Sequence, residues 1–216
     1  MNTFPNFKQL MPDETFLFEC QNCGDCCRNI NGSVMIESLD LFKIARYMNL
    51  EITEAAEKYT KMVKISWGVP ILVLETKSPD NSCVFLKSDK CGIQPVKPRT
   101  CRLYPLSVGP DNENEKNFIF LKLQEREFHY SGQGHVAKRW VADNMNSESC
   151  DYIITEYRLL RELGKILRCI PSPLERDVME HMLLFRYFLF DTGKDFMKQY
   201  IRNMTQLKTE LEKLTK

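Results

Sequence analysis

Cys20-Gln-Asn-Cys23-Gly-Asp-Cys26-Cys27 is the stretch that decides how this chain is read, because four of its nine cysteines fall within eight residues. A second group follows as Cys83, Cys91 and Cys101. Thiolate sulfur is a soft ligand that suits zinc, cuprous copper and iron–sulfur clusters. Cysteines two residues apart can converge on one centre, because the turn between them reverses the chain. Cys20, Cys23 and Cys26 have the C-x2-C-x2-C spacing of ferredoxin-type ligation, where three cysteines hold one cubane and a distant one completes it. Cys101 is the candidate for that distant ligand. Cys26 and Cys27 are adjacent, and neighbouring side chains usually diverge. They read as ligands to different irons, as ligands to two metals, or as one ligand and one packing residue.

Zinc is the alternative, since C-x2-C pairs supply tetrahedral sites. Zinc sites usually come as two clean pairs, however. Here a triplet carries a fourth cysteine, and the second group is C-x7-C-x9-C. An iron–sulfur cluster, most simply a 4Fe-4S cubane, is therefore the expected cofactor, with the number of centres left open. The C-x3-C-x2-C radical signature is absent, because Ile30 stands where its third cysteine would be. Lys97, Arg99 and Arg102 surround the second group. A thiolate-bound centre is net negative, so these cations would stabilise it and tune its potential. Arg102, directly after Cys101, is the candidate cofactor-binding residue.

The 216 residues carry a net charge of +1, with acidic and basic residues interspersed. No basic stripe of the kind nucleic-acid binders use is present. Met1 to Leu10 lacks the pattern of a secretory signal. His181 to Phe190, the most apolar run, falls short of the roughly 20 residues a bilayer span needs. The expectation is a soluble cytoplasmic protein with free thiols, no membrane partner and no nucleic-acid partner.

Outward from the cysteines, residues 1–17 read as irregular because of Pro5 and Pro12. Ser38 reads as the cap of one helix, and Thr53 as the cap of a second running to about Val63. Val69 to Leu74 and Phe118 to Leu123 read as strands. The last third is helical. Ile153, Tyr157, Leu160 and Leu167 form one stripe, and Ser172-Pro173-Leu174-Glu175 has the pattern of a capping box with Pro at the first helical position. That helix is expected to stop near Gly193. Met197, Tyr200, Met204, Leu207, Leu211 and Leu214 form a short coiled-coil-like seam. The seam is expected to pack on the chain's own helices, with a weak homodimer through this helix as the alternative. The fold class is α+β and helix-rich. Cysteine-rich loops in a metal-binding domain at 1–130 converge on the site, and a helical extension at 131–216 covers it. Outside the two groups, Cys150 is a candidate eighth ligand, Cys169 a structural thiol, and His129 and His135 loop histidines.

These residues resemble a known family. Phe18-Glu-Cys20-x2-Cys23-x2-Cys26-Cys27 matches the name-giving motif of the CxxCxxCC, or YkgJ-type, cysteine-cluster proteins. The second half of the pattern recurs as Cys83-Val-Phe85-Leu86, Cys91-x-Ile93, Lys97-Pro98 and Cys101-Arg102-x-Tyr104-Pro105, and Ser38-Leu39-Asp40 stands at the family's usual helix start. The resemblance spans roughly residues 18–106. It implies zinc or iron chelation, and the family is often labelled as containing an iron–sulfur cluster. Lys97 stands where the family usually has Arg, which keeps the charge and loses the planar fork. A related group, the flagellin lysine N-methylases, suggests methyl transfer, but no glycine-rich dinucleotide fingerprint supports it here. The expected role is redox or group transfer on a small-molecule or protein substrate. A structural zinc module and a metal carrier or sensor are the alternatives.

Overall fold

The computed structural model describes residues 7–21, 23–65, 69–115, 117–123 and 131–215. Residues expected to be irregular instead supply two strands, β1 (Phe7–Leu10) and β2 (Thr15–Leu17). Their partners lie more than a hundred residues away, so nothing local announces them. After the first cysteine loop, β3 (Met35–Ile36) leads into α1 (Ser38–Met48). The cap of α1 is Glu37 rather than Ser38. Glu37 and Asp40 form a reciprocal capping box, each side chain accepting the other's backbone N–H. The same device starts α2 (Ile52–Tyr59), whose cap is Glu51 with Glu54 in place of Thr53.

The α2 helix stops four residues before the expected Val63. From there the chain becomes β4 (Thr60–Lys64), which pairs antiparallel with β5 (Pro70–Leu74), Lys61 opposite Val73. The spacing of Tyr59 and Val63 is compatible with either state, and the pairing with β5 decides it. Two small hairpins follow, β6 (Thr76–Lys77) with β7 (Ser82–Cys83) and β8 (Leu86–Lys87) with β9 (Lys90–Cys91). Ser88 and Asp89 at the second turn both have positive φ, as a tight two-residue hairpin requires. Then come α3 (Arg99–Leu103), β10 (Leu106–Pro110) and β11 (Phe118–Leu123). The order of the largest sheets is β1-β11-β10 and β3-β5-β4, all antiparallel.

β12 (Gly134–Val136) pairs with β2 and runs into α4 (Ala137–Asn144) and α5 (Ser147–Leu167). A 3-10 turn at Ser172–Leu174 precedes α6 (Glu175–Leu183), and Ser172 makes no side-chain cap there. A π-helical turn, Leu184–Phe188, ends the segment at Leu189, earlier than Gly193. Arg186 lies on that turn, buried, and its guanidinium donates to Glu156 of α5 at 2.6 Å. The final helix is α7 (Phe196–Lys213), capped by Asp195.

This is an α+β fold with two adjoining cores. The larger packs α1, α2, β5, α5, α6 and α7 around Leu41, Ile44, Tyr152, Tyr200 and Leu207. The smaller joins β1, β2, β10 and β11 to α4 and the start of α5 around Leu10, Phe16, Val108 and Phe120. Both cores mix side chains from either side of residue 130. Tyr200, Met204, Leu207 and Leu211 of the α7 seam are fully buried against this chain's own helices. No helix among the described residues is long and apolar enough to cross a membrane.

Leu207→Ala should therefore lower stability by about 2–5 kcal/mol, while Ile201→Ala on the exposed face of the same helix should stay within about 0.5 kcal/mol. Urea denaturation of both variants checks this. Equal small effects would mean that the seam is not part of the core.

Candidate metal centre

The first cysteine loop owes its shape to a glycine and a salt bridge. Gly24 has φ +68°, and a Cβ there would lie 2.9 Å from the Asp89 carbonyl oxygen and 3.0 Å from the Arg28 guanidinium. Only glycine allows this left-handed turn and the close approach together. Asp25–Cys27 then forms a single 3-10 turn, with Cys27 N–H donating to Gly24 O at 2.9 Å. Cys26 and Cys27 do not diverge in this turn, for their sulfurs lie 3.9 Å apart. Arg28 donates to the Cys23 carbonyl at 2.7 Å and forms an ion pair with Asp89. Asp89 sits in the β8–β9 turn, so one side chain ties the first cysteine loop to the hairpin that carries Cys91. Ile30 N–H donates to Asn81 O at 3.1 Å and ties the same loop to the hairpin that carries Cys83.

Cys101 arrives on α3, and α3 is clamped to the start of α1. The Arg99 guanidinium donates to both carboxylate oxygens of Glu37, at 2.9 and 2.6 Å, and to Val108 O at 2.6 Å. Arg99 N–H donates to Asp40 Oδ1 at 3.0 Å, so Asp40 caps α1 and holds the first turn of α3 at once. Each side chain of the Glu37–Arg99 pair is only 11% exposed. Burial raises the Asp40 carboxyl to about 7, with Glu37 adding to the rise and Arg99 and Arg102 opposing it. Sequence reading placed Arg99 near the cluster as a cation but missed its carboxylate partners. The one available signal was the acidic pair flanking the Ser38-Leu39 helix start.

These contacts bring all seven grouped cysteines to one place. Cys20, Cys23, Cys26, Cys27, Cys91 and Cys101 line an outer cavity of about 620 Å³. Cys26, Cys27, Cys83, Cys91 and Cys101 line an inner cavity of about 670 Å³. Four thiols are common to both and form the wall between them. Cys20, Cys23 and Cys26 are exposed, Cys83 is buried, and the others are partly buried. Arg102 lines the outer cavity beside Lys97, Tyr104 and Trp140. Its guanidinium donates to Ser149 Oγ at 3.3 Å, while its Nε is buried without an acceptor.

The thiols influence one another's protonation. A hydrogen bond from Cys26 lowers the Cys27 thiol, but the bond to Cys83 and burial outweigh it and push Cys27 up to about 11. The same Cys27 bond pulls the Cys83 thiol below its usual value. Burial, followed by the nearby Cys27 and Cys26 sulfurs, drives the Cys101 thiol far up. Among the described residues no three Cys, His, Asp or Glu side chains already stand within reach of one ion. A metal would therefore have to draw the loops together as it displaces the thiol protons. The donor set fits such a group, since the thiols are soft ligands and Arg102 offers an unmet buried donor beside them.

The other candidates lie elsewhere. Cys150 is partly buried on α5 and lines neither cavity, and burial raises its thiol. Cys169 is exposed, its sulfur 3.6 Å from Lys165 O. His135 bonds Phe18 O at 2.9 Å and packs 4.7 Å from the Trp140 ring, within an aromatic group behind the outer cavity. His181 bonds Asp177 O at 2.7 Å on α6. His129 lies outside the described residues.

The family model described as "CxxCxxCC: Putative zinc- or iron-chelating domain" matches residues 19–131, more than half of the chain. The chain belongs to that family, and the match runs past the roughly 18–106 that the motifs alone cover. An uncharacterised protein of Methanocaldococcus jannaschii is 33% identical over 97 residues, which is 44% of this chain and 48% of that one. The chain thus spans about half the length of this curated relative. No solved structure matches it significantly.

Two outcomes follow from the clamp and the thiols. Arg99→Met leaves Glu37 and Asp40 buried without their cation and should cost about 3–5 kcal/mol, with Arg99→Lys recovering part of the loss. Denaturation curves and metal content of both variants check this, and an undiminished Arg99→Met protein would dismiss the clamp. Because Cys27 and Cys101 are protonated at neutral pH, metal must displace their protons. Apparent metal affinity should rise with pH, about tenfold per pH unit for each proton displaced. Competitive zinc titration at about pH 6.5 and about pH 8 reads this slope, and a flat response would exclude these two thiols as ligands.

Proposed function

We propose that this member of the CxxCxxCC family holds an iron–sulfur centre, most simply a 4Fe-4S cubane, on thiolates from both cysteine groups, and uses it in redox or group-transfer chemistry. The observation that carries the reading is the placement of the thiols. Seven cysteines line two adjoining cavities of about 620 and 670 Å³, where a single structural zinc needs only four closed around it. The Cys20, Cys23 and Cys26 spacing and the family's zinc- or iron-chelating description add support.

In this reading Cys20, Cys23 and Cys26 supply the first ligands and Cys101 the distant one. Cys27, Cys83 and Cys91 line the adjoining cavities as further ligands or as hydrogen-bonding thiols. When bound, such a centre would supply electron transfer or Lewis acidity. Arg102 would offset the negative charge of the thiolates, and its unmet Nε is a buried donor beside them, available to a sulfur. Phe18, Tyr104 and Trp140 line the outer cavity, with the Phe18 ring edge-to-face against the other two.

The second reading is a zinc site that organises the fold without catalysis. What favours it is the lack of any preassembled three-ligand group among the described residues, since a folding-coupled site closes only on its metal. Anaerobic purification with metal and sulfide analysis and a visible spectrum separates the two. The iron–sulfur reading expects brown protein with matched iron and acid-labile sulfide, bleached by Cys101→Ser and by Cys20→Ser and retained by Cys150→Ser. Colourless protein with stoichiometric zinc would overturn it.

A further inference from the structure

We propose that the inner cavity is a binding site for a small, largely apolar monocarboxylate, with its carboxylate on Lys97 and its apolar body held behind the cysteine wall. The cavity's volume of about 670 Å³ falls among small-ligand sites, which run from about 300 to 1,000 Å³. Its walls include Ile30, Val34, Leu74, Phe85, Ile93 and Leu106, none more than 8% exposed. The space is a cleft open to solvent, with exposed Asn31, Ser33 and Met35 at its rim and these buried apolar side chains beneath them. The metal does not explain it, because the thiols line one part of the cleft and apolar side chains line much of the remainder.

Lys97 sets the chemistry of the ligand. Among the described residues it is the one charged side chain lining the inner cavity, it is half-buried, and it also reaches the outer cavity. Among the described residues it has no hydrogen bond and no ion pair. The arginines of the site are engaged, Arg28 by Asp89, Arg99 by Glu37 and Arg102 by Ser149. A partly desolvated ammonium without a counter-charge favours an anion. One cation with no second beside it among the described residues of this cavity fits a carboxylate better than a phosphate, which recruits several cations or a free helix N-terminus. The nearest helix start, that of α3, is already taken by Asp40. Asn29, Asn31 and Thr100 are among the polar groups that would orient the head.

This assignment deepens the metal reading by naming the molecule that would reach the centre, and its role as substrate rests on that reading. Binding itself does not depend on which metal is present.

The probe is octanoate, titrated by calorimetry into the full chain as purified, with octan-1-ol and octylammonium as controls and metal content measured on every sample. Saturable one-to-one binding of octanoate is expected, at least about tenfold tighter than octan-1-ol, with octylammonium weaker still. Lys97→Met should weaken octanoate about tenfold, leave octan-1-ol unchanged and keep its metal. Val34→Phe, which fills the cavity, should abolish binding of both, with its thermal midpoint measured to confirm folding. If that variant does not fold, Lys97→Met against octan-1-ol decides the matter alone. Octanoate binding no better than octan-1-ol, or an unchanged Lys97→Met, would overturn the assignment. So would loss of metal from Lys97→Met, because Lys97 would then serve the centre rather than a ligand. Metal-free protein that still binds octanoate would sink the metal reading and keep the cavity. Metal-loaded protein that ignores octanoate would do the reverse.

Discussion

The buried ion pair between Glu37 and Arg99 is the constraint on which the rest of the site depends. Its two ends belong to segments about sixty residues apart, the start of α1 and the start of α3. Both side chains are nearly sealed from water, and the pair is bidentate, so its geometry is strict as well as strong. A charge pair in such a place is an expensive way to gain stability, since apolar packing of the same volume often serves as well. What it supplies is position. Arg99 is two residues from Cys101, so fixing Arg99 on α1 fixes where the second cysteine group meets the first. Asp40 shares the task by capping one helix and holding the first turn of the other.

Around that anchor the remaining ties are smaller and local. Arg28 and Asp89 fasten the first cysteine loop to one hairpin, Ile30 and Asn81 fasten it to another, and Gly24 permits the approach. The thiols that result are a mixed population. Cys27 and Cys101 hold their protons tightly, while Cys83 releases its proton more readily because Cys27 donates to it. A cationic metal inverts this order, for it turns burial among thiols from a penalty on the thiolate into a reason to bind. Among the protein's own cations, Arg102 stands where a negatively charged centre would need one.

The cysteines could be read directly because their spacing is local and their chemistry is narrow. All seven grouped residues line the paired cavities, and Cys150 and Cys169 do not. The helices of the last third were equally plain, since apolar periodicity over twenty residues leaves little choice. Three kinds of feature were hidden. Strands β1 and β2 pair with segments beyond residue 117, and four- and three-residue strands carry no periodic signal. Thr60 to Val63 continues a helical spacing but joins β5, so a non-local partner overrides the local pattern. Glu37, Arg28 and Gly24 look like an ordinary acid, base and turn residue until their distant partners are known. Sequence spacing thus identifies which atoms could bind a metal, and the long-range charge pairs determine that they meet.

Differential alkylation of the cysteines tests this convergence most directly. The protein would be labelled with a maleimide in its metal-loaded form and again after chelation, with each thiol's modification followed by mass spectrometry. Convergence on one centre predicts that cysteines of both groups are protected together and released together by the chelator, while exposed Cys169 reacts at the same rate in both forms. If Cys83, Cys91 and Cys101 label at the same rate with and without metal while Cys20 and Cys23 are protected, the two groups do not share a centre.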